Sequence, residues 1–294
     1  MKYCMIVNPH AGKKPGLAIA NKAQIRLEEK NIDIEMFVSN KPGESVKIAS
    51  NINLDDYDGI LAVGGDGTLF EVINGLLKRE EDIHIPIGQI PVGTGNSFIK
   101  DLGISSLEEA LESIISGNSK LIDLGHFSHS QSNHYFINIL GTGFVSNVAY
   151  RAKKYKWLGS LSYILGVLEE VIVLKSTQIE LIIDGKLVKR DAVFTEICNS
   201  RYTGGDMLMA PGARIDDGQL DIIILKKISR LKLLSLFPLL FKGEHVNDDA
   251  IEVFTGKNIS LKSNKKLALT PDGETFGETP IDIKTYPKKI KMFC

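Results

Sequence analysis

Hydrophobic positions in the first part of the chain fall into two alternating patterns. Short β-branched runs, typical of buried strands, lie at 5–7, 34–38, 60–63, 87–90 and 121–124. Between them, apolar residues recur with helical spacing at 17–30, at 46–51, at 69–77 and from 107 onward. Strands that alternate with helices predict parallel pairing through right-handed crossovers.

The pattern changes near Asp123, which is followed by a polar stretch at 128–134. Most later apolar runs have strand character, and Asp184-Gly185 joins two of them as a two-residue hairpin turn. Helical periods interrupt at 144–174, with a break near 157–159, and at 231–241. The second part therefore predicts an antiparallel sandwich with helical insertions, whose strands lie at 178–183, 186–189, 192–198, 220–225, 251–255, 259–262 and 267–270.

Composition narrows the classes of function. The chain has 294 residues, and 43% of them are hydrophobic, enough to fill a packed core. Lys and Arg number 35 against 36 Asp and Glu, so no overall positive field favours nucleic acid. Cys4, Cys198 and Cys294 form no C-x-x-C pair, which indicates a reducing compartment such as the cytoplasm. The most apolar stretch, 157–174, contains two glutamates and does not predict a membrane span.

The strongest chemical signal is Gly64-Gly65-Asp66-Gly67-Thr68, placed between a predicted strand and a predicted helix. Three glycines let backbone N–H groups approach an anion at the positive end of the helix, which predicts a phosphate cradle. Asp66 would repel phosphate unless a cation such as Mg²⁺ lay between them. The alternative is a glycine-rich turn in which Asp66 only caps the helix.

Two further loops follow predicted strands, at 8–12 and at 91–96. In an open parallel sheet, the loops at the carboxyl ends of the strands share one crevice. Asn8 and Asn96 could hydrogen-bond a nucleotide there without adding charge. Neither G-x-x-x-x-G-K-[ST] nor G-x-G-x-x-G is present, so the cradle is of another kind.

Seven motifs, taken together and in order, resemble the diacylglycerol kinase catalytic-domain family, which includes bacterial lipid kinases and the sphingosine and ceramide kinases. They span nearly the whole chain: Asn8-Pro9, Gly64-Gly65-Asp66-Gly67-Thr68, Pro91-Val92-Gly93-Thr94-Gly95-Asn96, Asp123-Leu124-Gly125, Asp216-Asp217-Gly218, Leu220-Asp221 and Pro271-Asp272-Gly273-Glu274.

The resemblance implies a three-layer α/β nucleotide-binding domain at 1–125 and an antiparallel β-sandwich lipid-binding domain at 126–282. A C-terminal segment, 283–294, would return to the first domain. The implied activity is transfer of the γ-phosphate of ATP, with Mg²⁺, to a lipid hydroxyl, first of all that of diacylglycerol. The implied partners are the lipid substrate and the inner face of the membrane, without nucleic acid, and a homodimer stays open.

The resemblance also assigns residues to the nucleotide and to metal. Asp66 would organise Mg²⁺, with Asp123 in the same network at the end of the fifth strand. Asp217, with the backbone carbonyls of Arg214 and Gln219, resembles a structural Mg²⁺ site. The implied nucleotide-binding set is Asn8, Pro9, His10, Ala11, Gly12, Ser39, Gly64, Gly65, Asp66, Gly67, Thr68, Leu69, Phe70, Thr94 and Asn96.

Glu274 resembles the family's general base, with Asp272 as the alternative. Two carboxylates in one short turn can raise each other's pKa, which suits a base that accepts a hydroxyl proton. Phe70 and Ser97 depart from the family pattern, which commonly has Asn and Asp at these positions.

Several alternatives stay open at this stage. NAD kinase shares the Gly-Gly-Asp-Gly-Thr motif, and a sphingoid-base kinase, a phosphatidylglycerol kinase or a sensing module without turnover are further options. A basic and aromatic patch at 153–157 is either a membrane contact or an exposed helix end. Helix 231–241 is either a core helix or a gate for an acyl chain.

Overall fold

The computed structural model describes residues 1–13, 15–79, 81–93, 95–129, 132–152 and 161–294. The chain forms two compact units, one of Met1–Asp123 with Lys288–Cys294 and one of Leu124–Pro287. The sequence predicted divisions after 125 and 282. Within the described part of the chain, no helix is both long and apolar enough to cross a membrane.

A parallel sheet forms the centre of the first unit, in the order β2-β1-β3-β4. Almost every residue of β1, β3 and β4 is buried, as expected for strands covered on both faces. The strands are β1 (Lys2–Val7), β2 (Asp33–Val38), β3 (Gly59–Gly64) and β4 (Ile87–Pro91), and the helices are α1 (Gly16–Glu28), α2 (Glu44–Asn51), α3 (Asp66–Leu76) and α4 (Leu107–Ser116).

The fifth predicted strand does not belong to the parallel set. It is β5 (Ser119–His129), which pairs antiparallel with β6 (Ser132–Phe136) and also with β16 (Ile281–Phe293). No strand was predicted at the position of β16. Its first part pairs with β14 in the second unit, and its end pairs with β4 in the first, so it carries the C-terminal segment back as the resemblance implied.

Antiparallel pairing dominates the second unit, in the order β13-β12-β9-β8-β14-β16. The predicted hairpin turn is present, with positive φ at Asp184 and Gly185. The two runs predicted at 186–189 and 192–198 are one strand, β9 (Lys186–Cys198). The other strands are β7 (Ile139–Gly143), β8 (Thr177–Ile183), β10 (Tyr202–Thr203), β11 (Met207–Leu208), β12 (Leu220–Lys226), β13 (Ile251–Gly256), β14 (Asn258–Ser263) and β15 (Leu269–Pro271).

The two faces of this sheet carry different apolar clusters. Ile197, Ile222 and Ile224 pack with residues of other strands, as in a sandwich. Phe194 and Ile223 point the other way and pack with residues of the helices. These helices are α5 (Phe144–Ala152), α6 (Leu161–Ile172) and α7 (Arg230–Leu240). The architecture therefore confirms the predicted class of α/β unit plus antiparallel β unit.

Candidate active site

Three loops of the first unit meet because their strands end at the same level. Val7 lies opposite Val63 and Gly64 opposite Pro91 in the parallel register. The Asn8 N–H donates to Val63 O at 3.1 Å, and the Val92 N–H donates to Gly64 O at 3.3 Å. The structure thus brings together the loops at 8–12 and 64–68 with residues 92–93 and 95–97.

Glycines allow these loops to touch. A Cβ on Gly65 would lie 2.7 Å from the carbonyl oxygen of Gly95, and a Cβ on Gly12 would lie 2.9 Å from the backbone nitrogen of Gly93. Gly12 and Gly93 also have φ of +57° and +83°, which side chains rarely adopt. The loops of the cradle therefore pack against each other through direct backbone contacts.

Asn8 and Asn96 hold the loops in place. The Asn8 side-chain N–H₂ group donates to Thr68 Oγ1 at 3.2 Å, and its Oδ1 accepts from the His10 N–H at 3.0 Å. The Asn96 side-chain N–H₂ group donates to Gly93 O at 2.9 Å. These amides, predicted as nucleotide contacts, shape the cradle through hydrogen bonds within the protein.

Asp66 binds the neighbouring loop. Its carboxylate accepts from the Ser97 N–H at 2.8 and 3.0 Å and from the Phe98 N–H at 3.3 Å, and its own N–H donates to Gly95 O at 2.9 Å. The N-cap residue of α3 is Gly65, which has no side chain to cap the helix. The alternative in which Asp66 only caps its own helix is therefore wrong, and Asp66 connects two loops of the cradle.

The start of α3 offers a place for an anion. The Gly67 N–H has no hydrogen-bond partner among the described residues, and it lies in the first turn of α3, where the helix dipole is positive. Gln89 Oε1, beside the same loops, is buried without a partner among those residues. A polyphosphate fits this backbone-lined, dipole-positive cradle.

The other predicted nucleotide residues divide into groups. Ser39 is buried, and its hydroxyl donates to Val7 O at 3.1 Å. The Leu69 side chain is fully buried in the core, so its predicted place in the nucleotide-binding set, which stays a prediction, concerns its backbone. Phe70 is half-buried, and Thr94 lies outside the described residues. Pro9, His10 and Ala11 are partly or fully exposed on the first loop.

Asp123 is not at the end of a strand, because β5 continues to His129. Its side chain is fully buried, and its carboxylate accepts from the Lys288 N–H at 2.7 Å. Lys288 has φ of +51°, unusual for a residue with a side chain. Asp123 thus helps to fix the return of the C-terminal segment. Its predicted position at a strand end is wrong, and its place in the Mg²⁺ network stays a prediction.

The acidic turn at 271–274 holds two carboxylates with different surroundings. The Asp272 carboxylate accepts from the N–H groups of Ile137, Asn138 and Ile139 at 2.9, 2.8 and 3.1 Å. Glu274 is exposed, and its N–H donates to Pro271 O at 2.8 Å. Asp272 is thus an anchor for a buried loop, which favours Glu274 as the base, and the choice between them stays a prediction.

Asp217 lies on an exposed turn with Gly218 at φ +75°. Its Oδ1 accepts from the Gln219 N–H at 3.0 Å, while the Arg214 guanidinium lies 3.6 Å from Asp216. No group of three or more His, Cys, Asp or Glu residues among those described could hold a metal. A site here would consist of the Asp217 carboxylate and backbone carbonyls, a donor set that fits a hard ion.

Asp221, close to Asp217, has a carboxyl group whose pKa is shifted. Burial, and to a lesser extent the charge of Asp217, raises the pKa of Asp221 to about 6. A cation beside these two acids would favour their ionised forms.

A cavity of about 170 Å³ in the second unit was not predicted. Most of its wall is apolar, and α7 contributes Leu233, Leu236, Phe237 and Leu240. Helix α7 is thus both a core helix and a wall of the cavity. Gly273 also lines the cavity, which therefore extends to the residue next to Glu274.

An acidic residue, Glu196, lies in this apolar wall. It is 4% exposed, and burial raises its pKa from 4.5 to about 8. The signal in the sequence is a glutamate inside the apolar strand run at 192–198, where a buried strand normally has none.

A glycine-lined cradle at the end of a parallel sheet, and an apolar cavity that reaches an acidic turn, are the two parts required of a kinase that phosphorylates a lipid. The model of the diacylglycerol kinase catalytic domain matches residues 2–127, and that of the YegS C-terminal NAD kinase beta sandwich-like domain matches residues 138–294. The chain therefore belongs to the diacylglycerol kinase family and is a lipid kinase.

Individual relatives agree with this assignment. Diacylglycerol kinase of Bacillus subtilis (strain 168) is 31% identical, over 94% of this chain and 90% of its own length. Diacylglycerol kinase of Staphylococcus aureus (strain bovine RF122 / ET3-1) is 29% identical, over 99% of this chain and 91% of its own length. A Bacillus anthracis str. Sterne structure, solved as a candidate diacylglycerol kinase, is 26% identical, with a TM-score of 0.83 over 99% of this chain and 94% of its own.

A more distant structure shares the fold alone. An NAD kinase from Archaeoglobus fulgidus, solved with ATP, is 16% identical, with a TM-score of 0.56 over 100% of this chain and 94% of its own.

Proposed function

We propose that the chain transfers the γ-phosphate of ATP to the free hydroxyl of diacylglycerol, producing phosphatidic acid and ADP. The observation that carries the proposal is the apolar cavity whose lining includes Gly273, the neighbour of Glu274. A ligand with its acyl chains among the leucines of α7 could present its polar end at the acidic turn.

In this proposal, the cradle binds and orients the triphosphate. Backbone N–H groups at the start of α3 contact phosphate oxygens, while Asp66 keeps the loop at 95–98 in place. Mg²⁺, when bound, neutralises charge on the phosphates, and Asp66 is the cradle residue whose chemistry suits its water shell.

Glu274 acts as the base. Its carboxylate accepts the proton of the acceptor hydroxyl as the hydroxyl oxygen forms its bond to the γ-phosphorus, and the bond from that phosphorus to the bridging oxygen of ADP breaks. Asp272 holds the turn that carries Glu274 through its three amide hydrogen bonds.

The test is phosphate transfer from γ-labelled ATP to a panel of acceptors. Purified protein would be incubated with diacylglycerol, sphingoid base, phosphatidylglycerol and NAD, and label is expected in phosphatidic acid. Label that enters only NAD, or only another lipid, would refute the proposed acceptor.

A variant that fills the cavity supplies a second test. Ala149 lines it from α5 and is half-buried, so Ala149→Phe would occupy space needed by an acyl chain. Activity on long-chain diacylglycerol should fall more than activity on a short-chain form, and nucleotide affinity should not change. Equal loss on both acceptors would mean that the cavity does not hold the chains.

We also propose that the protein binds the surface of a membrane. Leu231, Leu234 and Phe241, along and just after α7, are 81%, 44% and 49% exposed, and Lys242 follows them. The basic patch predicted at 153–157 lies outside the described residues. Leu231→Ser should reduce co-sedimentation with anionic vesicles, while Leu187→Ser, at a leucine of β9 that is 56% exposed, should not.

A further inference from the structure

Glu196 stands out in the second unit as a buried acid that lines the apolar cavity. Because side chains alternate along β9, its carboxyl lies on the same face as Phe194 and Cys198, which pack in the cluster with the helices. It has no hydrogen bond or ion pair within the described part of the chain. Such a group normally has a partner, which points to a ligand in the cavity.

The surroundings leave room for the carboxyl but give it no partner. A Cβ on Gly141, its neighbour on β7, would lie 2.8 Å from Glu196 Oε2, so the carboxyl packs over a position without a side chain. The nearby hydroxyls of Ser146 and Thr270 lie 3.0 and 3.1 Å from Gly141 O and 2.9 Å from each other. The O–H donors of both hydroxyls are therefore used without Glu196.

Glu196 is in its neutral form near pH 7, because burial in apolar surroundings raises its pKa to about 8. No lysine or arginine is among the described residues that line the cavity. His245 also lines the cavity, but burial lowers its pKa, and its Nε2 bonds to Met209 O at 3.0 Å. Cys198, the next group on the same face of β9, is a neutral thiol because burial raises its pKa. A neutral carboxylic acid is a hydrogen-bond donor as well as an acceptor.

We propose that the Glu196 carboxylic acid donates a hydrogen bond to an ester carbonyl oxygen of the acceptor lipid, and so selects acyl esters over lipids with ether chains. An ester carbonyl is a strong neutral acceptor that suits a neutral donor. An ammonium group would require an ionised partner and the desolvation of two charges. The inference rests on the proposed function, because it names the part of the acceptor that the cavity recognises.

The test compares the binding of two lipids of matched chain length. Affinity would be measured by isothermal titration for dioctanoylglycerol and for its ether analogue dioctylglycerol, with phosphate transfer to each lipid assayed in parallel. Wild type is expected to bind the ester about 10-fold more tightly, the value of one buried hydrogen bond. Glu196→Gln keeps an N–H donor of similar shape and should keep most of this preference. Glu196→Leu removes the donor, keeps a similar volume, and should abolish the preference.

The outcomes separate this inference from the proposed function. If wild type prefers the ester in binding but transfers no phosphate to it, the proposed acceptor fails and the role of Glu196 stands. If wild type binds both lipids equally, binds neither, or keeps its ester preference in Glu196→Leu, the inference is overturned. Preferential binding of a sphingoid base that is lost in Glu196→Gln would also overturn it. Melting temperatures check that each variant is folded.

Discussion

Replacement of Gly65 by alanine tests whether backbone contact between loops forms the cradle. The added Cβ would lie 2.7 Å from the carbonyl oxygen of Gly95, whereas ordinary van der Waals contact begins at 3.4 Å. The loop at 95–98 must therefore move by about 0.7 Å, the difference between these distances. The atoms that the Cβ would approach most closely are the carbonyl oxygen and carbon of Gly95. Because both belong to the backbone, no side-chain rotation can relieve the contact.

The displacement should affect nucleotide binding more than stability. It stretches the bond from the Asp66 N–H to Gly95 O and shifts the Ser97 N–H that the Asp66 carboxylate accepts. A misplacement of this size costs on the order of 10- to 100-fold in kcat/KM, and overpacking costs about 1 to 3 kcal/mol of stability.

The assay is kcat/KM for ATP at saturating acceptor, with the melting temperature of each variant measured alongside. Gly95→Ala is the matched control for packing, because a Cβ there meets nothing within 4 Å and Gly95 does not need positive φ. It should leave the melting temperature unchanged. An unchanged kcat/KM for ATP in Gly65→Ala would refute the account of the cradle.

Three further predictions concern the acids. Asp66→Asn should lower turnover by about two orders of magnitude without unfolding the protein, and full turnover would contradict its role. Asp272→Ala should lower the free energy of unfolding in urea by about 3 kcal/mol, because it leaves three buried N–H groups unpaired. Glu274→Gln should keep the stability of the wild type and lose turnover. The reverse result would exchange the roles of the two acids. Burial raises the pKa of Glu196 from 4.5 to about 8, so its proton is lost on unfolding and stability should fall by about 1.4 kcal/mol per pH unit between about pH 5 and 8. Glu196→Gln should remove this slope in urea unfolding, and an unchanged slope would exclude the assignment.

Local patterns predicted most of the elements because these elements depend on local chemistry. The helical spacing from 107 onward predicted the start of α4, which a capping box fixes: Ser106 Oγ accepts from the Glu109 N–H at 3.2 Å, while the Glu109 carboxylate accepts from the Ser105 N–H. Strand β16 was missed because its outward positions are mostly lysine and its partners lie far away in sequence. Strand β5 was assigned to the parallel set because a short apolar run does not indicate its direction of pairing.

The glycine motifs identified the cradle because close approach of backbone to backbone requires residues without side chains, and this requirement is visible in the sequence. Glu196 was missed for the opposite reason. A glutamate in a strand run is ordinary if its face is solvated, and only the tertiary packing of α5 and α7 on that face makes it a buried acid. The cavity has no local signal either, since leucines that line a cavity and leucines that fill a core have the same periodicity.

The acids of the chain show why a motif identifies a site more reliably than it assigns roles within it. Asp66, Asp123, Asp184 and Asp272 each accept backbone N–H groups from a segment distant in sequence. At Asp184 such bonds, led by the one from the Lys257 N–H, lower the pKa of the carboxyl, so the anion is stabilised as a fixed acceptor. A short Asp side chain suits this use because it holds two backbones close together. In the proposed reaction the base is instead Glu274, the other carboxylate of the acidic turn, whose longer side chain is exposed.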